Sequence, residues 1–536
     1  MINSIIKKEW LKIKFIILIL FIVSICVLIN FYYDLDFLFS TVEPESMMWY
    51  RFATLEQKPY EFLSYLFFII GLTISIFQFI PEKVNNRIKI MTHLPISLPK
   101  SLFLHLFIGI FYIFILSLII TVGIIFITYQ YYPYEILIVT IKDICFYFLG
   151  SIIIYLGVSS AIIEKKPKIS AIKLFISLLF IFIFHKSIFT NIDLIWILIS
   201  VVMLFITLDS FYSIKEQRLE SFLFKFFVLA SLLLVGFFSY TLYINKYKHE
   251  FNKYYIFYSP ITKTFVYQKN FGEHRFEYGI KGVKTFDRLE YESYLPFVYW
   301  KNLDIQKKLP LKIENETFNK QTIKESRLSF SYNPTFLKKQ EVQMYPLINP
   351  QSKIGIIKFP EEMIAINDDN INIYNFDDGL DKNMTKELNK LLLSNKVTFP
   401  IKNIWGKATN MKPFDLGYFF LDSKEKLFRV NKENNKIYLD EVKYPKDIKI
   451  KFMKISENKK RELAGFAIDS KSFFYIIDYK TFEFKKIKLN NFDYKKMKLL
   501  FISNPKYYLV RYTDEDKYYG VVFNKSFKKL NEDNFE

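Results

Sequence analysis

The sequence predicts a membrane all-α N-terminal half followed by an all-β, propeller-like soluble domain. Three observations carry this expectation. Apolar residues are concentrated in about the first 245 of 536 positions, in runs close to the 20 or so residues that cross a bilayer core. From about residue 246 the pattern changes to short, aromatic-rich alternating segments bounded by turn residues. Three of those segments recur at a near-constant interval, in the range of propeller blades.

Composition narrows the function. The net charge of +20 accompanies a general excess of Lys, Ile, Asn, Phe and Tyr, and the lysines are scattered rather than gathered into a stripe. This argues for compositional bias and against a nucleic-acid partner. The two cysteines, Cys26 and Cys145, both sit inside apolar runs, so neither a disulfide framework nor a metal site is expected. The apolar stretch from Phe15 to Tyr32 is too long for a cleavable signal and lacks an Ala-x-Ala-like site.

About seven membrane spans are expected, over 15–32, 61–80, 103–128, 144–163, 171–188, 194–208 and 222–243. Lysine and arginine at the span ends orient them. Lys7, Lys8, Lys12 and Lys14 precede the first span, and Lys83, Arg87, Lys89 and Lys100 fill the second connection. Lys165, Lys166 and Lys168 follow the fourth span. The connection after the first span is acidic, with Asp34, Asp36, Glu43, Glu45 and Glu56. The alternation predicts a cytoplasmic N-terminus, and an odd number of spans then puts the soluble domain outside the cytoplasm. Within the spans no site built on buried charge is expected. Lys142, Asp143, Lys173 and Lys225, with His105 and His185, read as anchors reaching for the interface.

Two short basic segments face the cytosol in this topology. Residues 1–14 form an amphipathic interfacial helix: Ile6, Trp10 and Ile13 share a face, with Lys7 and Lys8 on the polar side, at membrane lipid. The second is PEKVNNRIKIMTHLPISLPK, residues 81–100. Pro81 and Glu82 suit the first turn of a helix, and the residue before Pro95 resists helical geometry, so a helix of about ten residues is expected between them. So short a polar helix needs a surface to dock on.

The segment resembles the connection between the second and third spans of ABC-2-type permeases, the transmembrane subunits of ATP-binding-cassette transporters. Pro81-Glu82-Lys83 matches that family's Pro-Glu-Arg/Lys start, and Leu94-Pro95-Ile96-Ser97 its Leu-Pro-Val/Ile-Ser close, at the same separation. The family's usual Gly-Thr is replaced by Asn86-Arg87, and its Arg after the Ser by Leu98. The similarity covers residues 1–210, with 1–14 corresponding to an interfacial elbow helix and 15–210 to a six-span domain. It implies that Glu82, Lys83, Arg87, Leu94, Pro95, Ile96 and Ser97 belong to a coupling helix seated in a cytosolic ATPase subunit. It also implies a second permease copy. A Gly-x-x-x-x-Gly-Lys-Ser/Thr motif is absent from the chain, so the ATPase would be a separate polypeptide and this chain no enzyme.

After a seventh span and tether at 211–245 comes the soluble domain, 246–536. LGYFFLDSKEKLFRV, LAGFAIDSKSFFYII and YYLVRYTDEDKYYGVV align on Asp422, Asp469 and Asp514, spaced about 47 and 45 residues apart. Hairpins around Asp368-Asp369 and over YSPITKTFVY (from Tyr258) fit the series loosely, and residues 384–395 read as an inserted helix. The aspartates are expected to cap turns rather than bind metal. The aromatic cluster in LPFVYWKNLDIQKKLP (295–310) reads as core. No catalytic set or cofactor motif is present. Two functions are carried forward: the permease subunit of a bacterial cell-membrane exporter, and a membrane-anchored propeller that scaffolds or senses extracytoplasmic partners. The docking segment at 81–100 separates them, because an anchor needs no lever.

Overall fold

The computed structural model describes residues 2–84, 87–92, 98–185, 194–214, 229–230, 232–237, 239–241, 243–244, 253–514 and 516–536. The chain divides into two units, Met1–His249 and Glu250–Glu536.

In the first unit, α1 (Ile2–Thr41) is one helix of 40 residues. At 1.5 Å per residue it is about 60 Å long, twice a hydrocarbon core of about 30 Å. The separate interfacial helix expected over 1–14 has no boundary here, because neither Gly nor Pro interrupts residues 2–41. After the short α2 (Ser46–Leu55), α3 runs from Ser64 to Val84 and carries Pro81 inside it. Pro81 and Glu82 therefore end a helix rather than begin one. The next helix, α4, is Arg87–Thr92. Then follow α5 (Leu98–Tyr131), α6 (Tyr134–Ile163), α7 (Pro167–His185) and α8 (Leu194–Ile214).

Six helices among the described residues are long and apolar enough to cross a membrane, which makes this a multi-pass membrane protein. Of the seventh span expected over 222–243, residues 222–228, 231, 238 and 242 lie outside the described residues; the pieces that are described are helical. Helix α6 is the centre of the bundle, packing against α3, α5, α7 and α8. Lipid tails give helices no hydrophobic reason to associate, so close approach through small residues and interhelical hydrogen bonds must supply it. A Cβ at Gly71 would lie 2.3 Å from the Ser151 carbonyl of α6, so only glycine allows that approach. The Ser75 and Ser159 hydroxyls join α3 to α6 at 2.9 Å, and Thr207 donates from α8 to the Leu156 carbonyl at 2.9 Å.

The second unit is built on five antiparallel sheets of four or five strands, over 254–286, 344–380, 403–442, 450–487 and 498–535, with a small two-stranded sheet over 311–318. The fifth gains an extra strand, Leu328–Tyr332, which pairs with Lys498–Ser503 through Phe330 opposite Phe501. Buried rows join the second sheet to the third, the third to the fourth, the fourth to the fifth and the fifth to the first. Phe330 and Phe501 stack at 4.7 Å in the fourth–fifth core, and Phe297 and Trp300 of the 295–310 cluster lie in the fifth–first core.

Turn chemistry follows the aspartates. Asp422 accepts from the Lys426 N–H at 2.8 Å and the Thr398 hydroxyl at 2.7 Å. Asp469 accepts from the Lys471 and Phe473 N–H groups, each at 2.8 Å. The two loosely fitting hairpins form with other residues: Ser259 closes one by accepting from Thr262 N–H, and Asn367 bonds Asn370 in the other. The inserted helix is Lys382–Ser394, capped by Asp381, which accepts from Met384 N–H at 2.9 Å.

Candidate functional site

The last turn of α3 is the junction of the helical unit. Residues Ile5, Glu9 and Ile13 repeat every four positions along α1, so they share one face, and all three are buried. That face brings a carboxylate into the bundle. From α3, Gln78 and Glu82 present a second polar pair at the same spacing, also buried.

Lysines from α1 meet these groups. Lys8 pairs with Glu82 at 2.8 Å, while Lys12 reaches Glu82 Oε1 at 3.0 Å and Glu9 Oε1 at 2.7 Å. Lys12 also donates to the Gln78 carbonyl at 3.1 Å, one turn before Glu82. Two carboxylates thus face two ammonium groups, a balanced cluster. The second oxygen of each carboxylate, Oε2, lacks a hydrogen-bond partner among the described residues.

Neutral groups extend the network. Gln78 donates to the His105 carbonyl of α5 at 2.9 Å and accepts from the Tyr155 hydroxyl of α6 at 2.8 Å. His105 Nδ1 lies 2.7 Å from the Ser101 carbonyl, which can only accept, so Nδ1 carries a proton. Its Nε2 then faces Glu9 at 3.6 Å. His105 is buried in this cluster, which corrects its reading as an interfacial anchor.

Lys83 turns to the opposite side and donates to the Glu164 carbonyl, the C-cap of α6, at 3.3 Å. The Glu164 side chain begins a second buried cluster. Lys173 of α7 contacts it at 2.8 Å, Asp209 of α8 at 3.2 Å and the Ser210 hydroxyl at 2.6 Å. Lys173 is 1% exposed. It too was expected to snorkel to the interface, and the structure overturns that: its stem runs inward because two carboxylates wait there. Lys58 and Tyr60 bind Asp143 at the other end of the bundle, each at 2.7 Å.

The residues singled out from sequence divide as follows. Glu82, Lys8 and Lys83 come together in these clusters. Arg87 opens α4 with an exposed side chain. Leu94, Pro95, Ile96 and Ser97 lie outside the described residues. Ile6 and Trp10 are exposed on α1, as lipid-facing residues are, and Lys7 is exposed beside them. Glu82 is 1% exposed and turned to α1. Sequence reading passed over Glu9 and Gln78, and used Lys12 only to orient the first span. The signal was the four-residue spacing of Glu9 with Ile5 and Ile13, and of Gln78 with Glu82.

The sheet unit buries charge differently. Lys412, in the loop before the strand Tyr418–Leu421, pairs with Asp415 and with Glu457 at 3.0 Å. Leu416 N–H donates to the same Glu457 oxygen at 2.8 Å. Burial pushes the Glu457 carboxyl up to about 7 against the pull of Lys412 and Leu416, with Asp415 adding to the rise. No group of three His, Cys, Asp or Glu side chains suited to a metal occurs among the described residues.

A family model described as a domain of unknown function, DUF4857, matches residues 255–523, just over half of the 536-residue chain. The chain belongs to the DUF4857 family. The DUF4857 match opens inside the strand Tyr254–Tyr258 and closes inside Tyr518–Asn524, so it reaches all five larger sheets and leaves out the last strand, Lys529–Phe535. None of the described membrane helices falls within it. No curated protein and no solved structure matches the chain.

Proposed function

We propose that this protein is the permease subunit of an ATP-binding-cassette exporter in a bacterial cell membrane, powered by a separate cytosolic ATPase and working as a pair of permease copies. The supporting observation is the double attachment of the α3 end. Glu82 ties it to α1, Lys83 ties it to the cap of α6, and Glu164 continues through Lys173 to α7 and α8. A displacement of the connection between α3 and α5 would reach every one of these helices, because packed elements shift as bodies rather than deform.

In this reading the N-terminus is cytoplasmic and the short α4 faces the ATPase. Arg87 contributes to docking, and Glu82 transmits. The DUF4857 region lies outside the cytoplasm, its five sheets forming the blades of a propeller-like domain that receives or hands on cargo. The family match, confined to the sheets, favours a second reading in which the helices only anchor a sensing or scaffolding domain.

Co-purification of the full chain from its native membrane separates the two. The transporter reading expects a Walker-motif ATPase in the complex. It further expects Glu82→Gln to keep the ATPase bound while lowering its turnover. A chain that recovers no such subunit, with α4 intact, supports the anchor reading instead.

A further inference from the structure

Among the described residues the buried lysines share a rule that the half-buried Arg511 does not follow. Lys173, Lys412 and Lys432 each carry a carboxylate partner: Glu164, Glu457 and Glu362 at 2.8, 3.0 and 2.9 Å. Arg511, on the strand Tyr507–Thr513 of the fifth sheet, pairs with no carboxylate among the described residues. Its guanidinium donates once, to the Ile256 carbonyl at 3.1 Å, and lies over the Phe257 ring at 4.7 Å. Burial lowers its pKa to about 10, the expected sign for a cation short of counter-charge.

Arg511 also lines a cleft of about 250 Å³ between the first and fifth sheets. Sheet register explains the opening. Ser331, Leu500, Arg511 and Gly520 stand in one row across four paired strands, so their side chains share a face. Gly520 lets Phe265 and Ile256 of the first sheet close over that end of the row. Leu500 and Ser331, at the other end, line the open cleft. Tyr255 and Tyr518 line it too, and Phe336 stands at the wall with the Lys454 ammonium 5.7 Å from its ring. The Ser331 hydroxyl makes no hydrogen bond among the described residues. The volume falls below the roughly 300–1,000 Å³ of pockets for drug-sized ligands, which limits the occupant to a small molecule or one unit of a chain.

We propose that this cleft is a binding site for an acidic sugar, with the carboxylate on Arg511 and the apolar face of the ring against the tyrosines. A guanidinium grips a carboxylate through two parallel N–H donors, and several of its donors are free here. Aromatic walls supply a flat apolar contact, and Ser331 supplies a hydroxyl partner for a polyhydroxylated ligand. The proposal stands apart from the transport reading, because it concerns the DUF4857 region alone.

The test is calorimetric titration of the full chain in detergent micelles with glucuronate, glucose and acetate. The site predicts glucuronate bound at least tenfold more tightly than either glucose or acetate. Arg511→Gln, which keeps a donor for the Ile256 carbonyl, should cut glucuronate affinity tenfold or more. Leu500→Trp, which narrows the cleft and leaves Arg511 in place, should abolish binding while the unliganded melting temperature holds within a few degrees. Absence of glucuronate binding, equal affinity for glucose or acetate, or unchanged affinity in either variant overturns the proposal.

Discussion

The two halves both bury lysine against carboxylates, but under different driving forces. In the helical unit Lys12 reaches a carboxylate 70 positions away, and Lys173 of α7 joins the cap of α6 to α8. In the sheet unit Lys432 also reaches a carboxylate 70 positions away, and Lys412 joins Asp415 of its own loop to Glu457, 45 positions on. The difference follows from the solvent each half folds in. Sheets in water gain their order from burying Phe, Tyr, Ile and Leu, so ion pairs there add to an order already set. Helices in lipid gain little from apolar contact, so charge pairs between helices carry the specificity of their arrangement.

Removing charge should therefore cost most in the helical unit. Lys173→Met leaves Glu164 and Asp209 buried together without their cation, and about 3–5 kcal/mol of stability should be lost. Thermal unfolding of the full chain in micelles should show a large fall in the helical transition, partly regained when Asp209→Leu is added. A Lys173→Met protein as stable as the parent would break the comparison. Glu82→Gln should cost less, about 2 kcal/mol, because Glu9 still holds Lys12 and the amide can accept from one lysine.

The sheet cluster sharpens the contrast through pH. The Glu457 carboxyl is raised to about 7, so the folded state holds a proton that the unfolded chain releases near the ordinary carboxylate value. A raised folded pKa gives stability that is complete below the unfolded pKa and is lost as pH rises through the folded one. Stability of the sheet unit should therefore fall between about pH 4.5 and 7. Glu457→Gln should flatten that slope in melts taken at pH 5 and pH 8, and an unchanged slope would remove Glu457 as its cause. The smallest effect is expected at a turn: Asp469→Ala removes the oxygen that accepts from two N–H groups and the one that accepts from the Tyr475 hydroxyl, costing about 1–2 kcal/mol without altering the helical transition.

Much of this architecture can be read in the sequence, for physical reasons that also mark where reading fails. Apolar runs of span length are unambiguous because lipid admits little else. The three later sheets were visible through Asp422, Asp469 and Asp514, whose carboxylates favour tight turns. The first two sheets were faint because Ser259 and Asn367 close the equivalent turns.

Pro81 misled because a proline in the first turn of a helix and one in the last turn look alike over five residues. Only the length of the apolar run before it assigns it to α3. Buried charge was invisible for a related reason. A lysine near a span end snorkels or turns inward with equal ease, and what decides is a carboxylate brought alongside by tertiary packing. Glu164 lies nine residues before Lys173, but Asp209 lies 36 after it.

The central proposal is that the short α4 docks on a cytosolic ATPase and the end of α3 carries its displacement into the bundle. Labelling of a single cysteine at Arg87→Cys, with Cys26 and Cys145 replaced by serine, tests it most directly. A membrane-impermeant maleimide should leave intact cells unlabelled, modify inside-out vesicles, and react several-fold more slowly when the ATPase is bound. Modification from outside intact cells, or an equal rate with and without the ATPase, would contradict it.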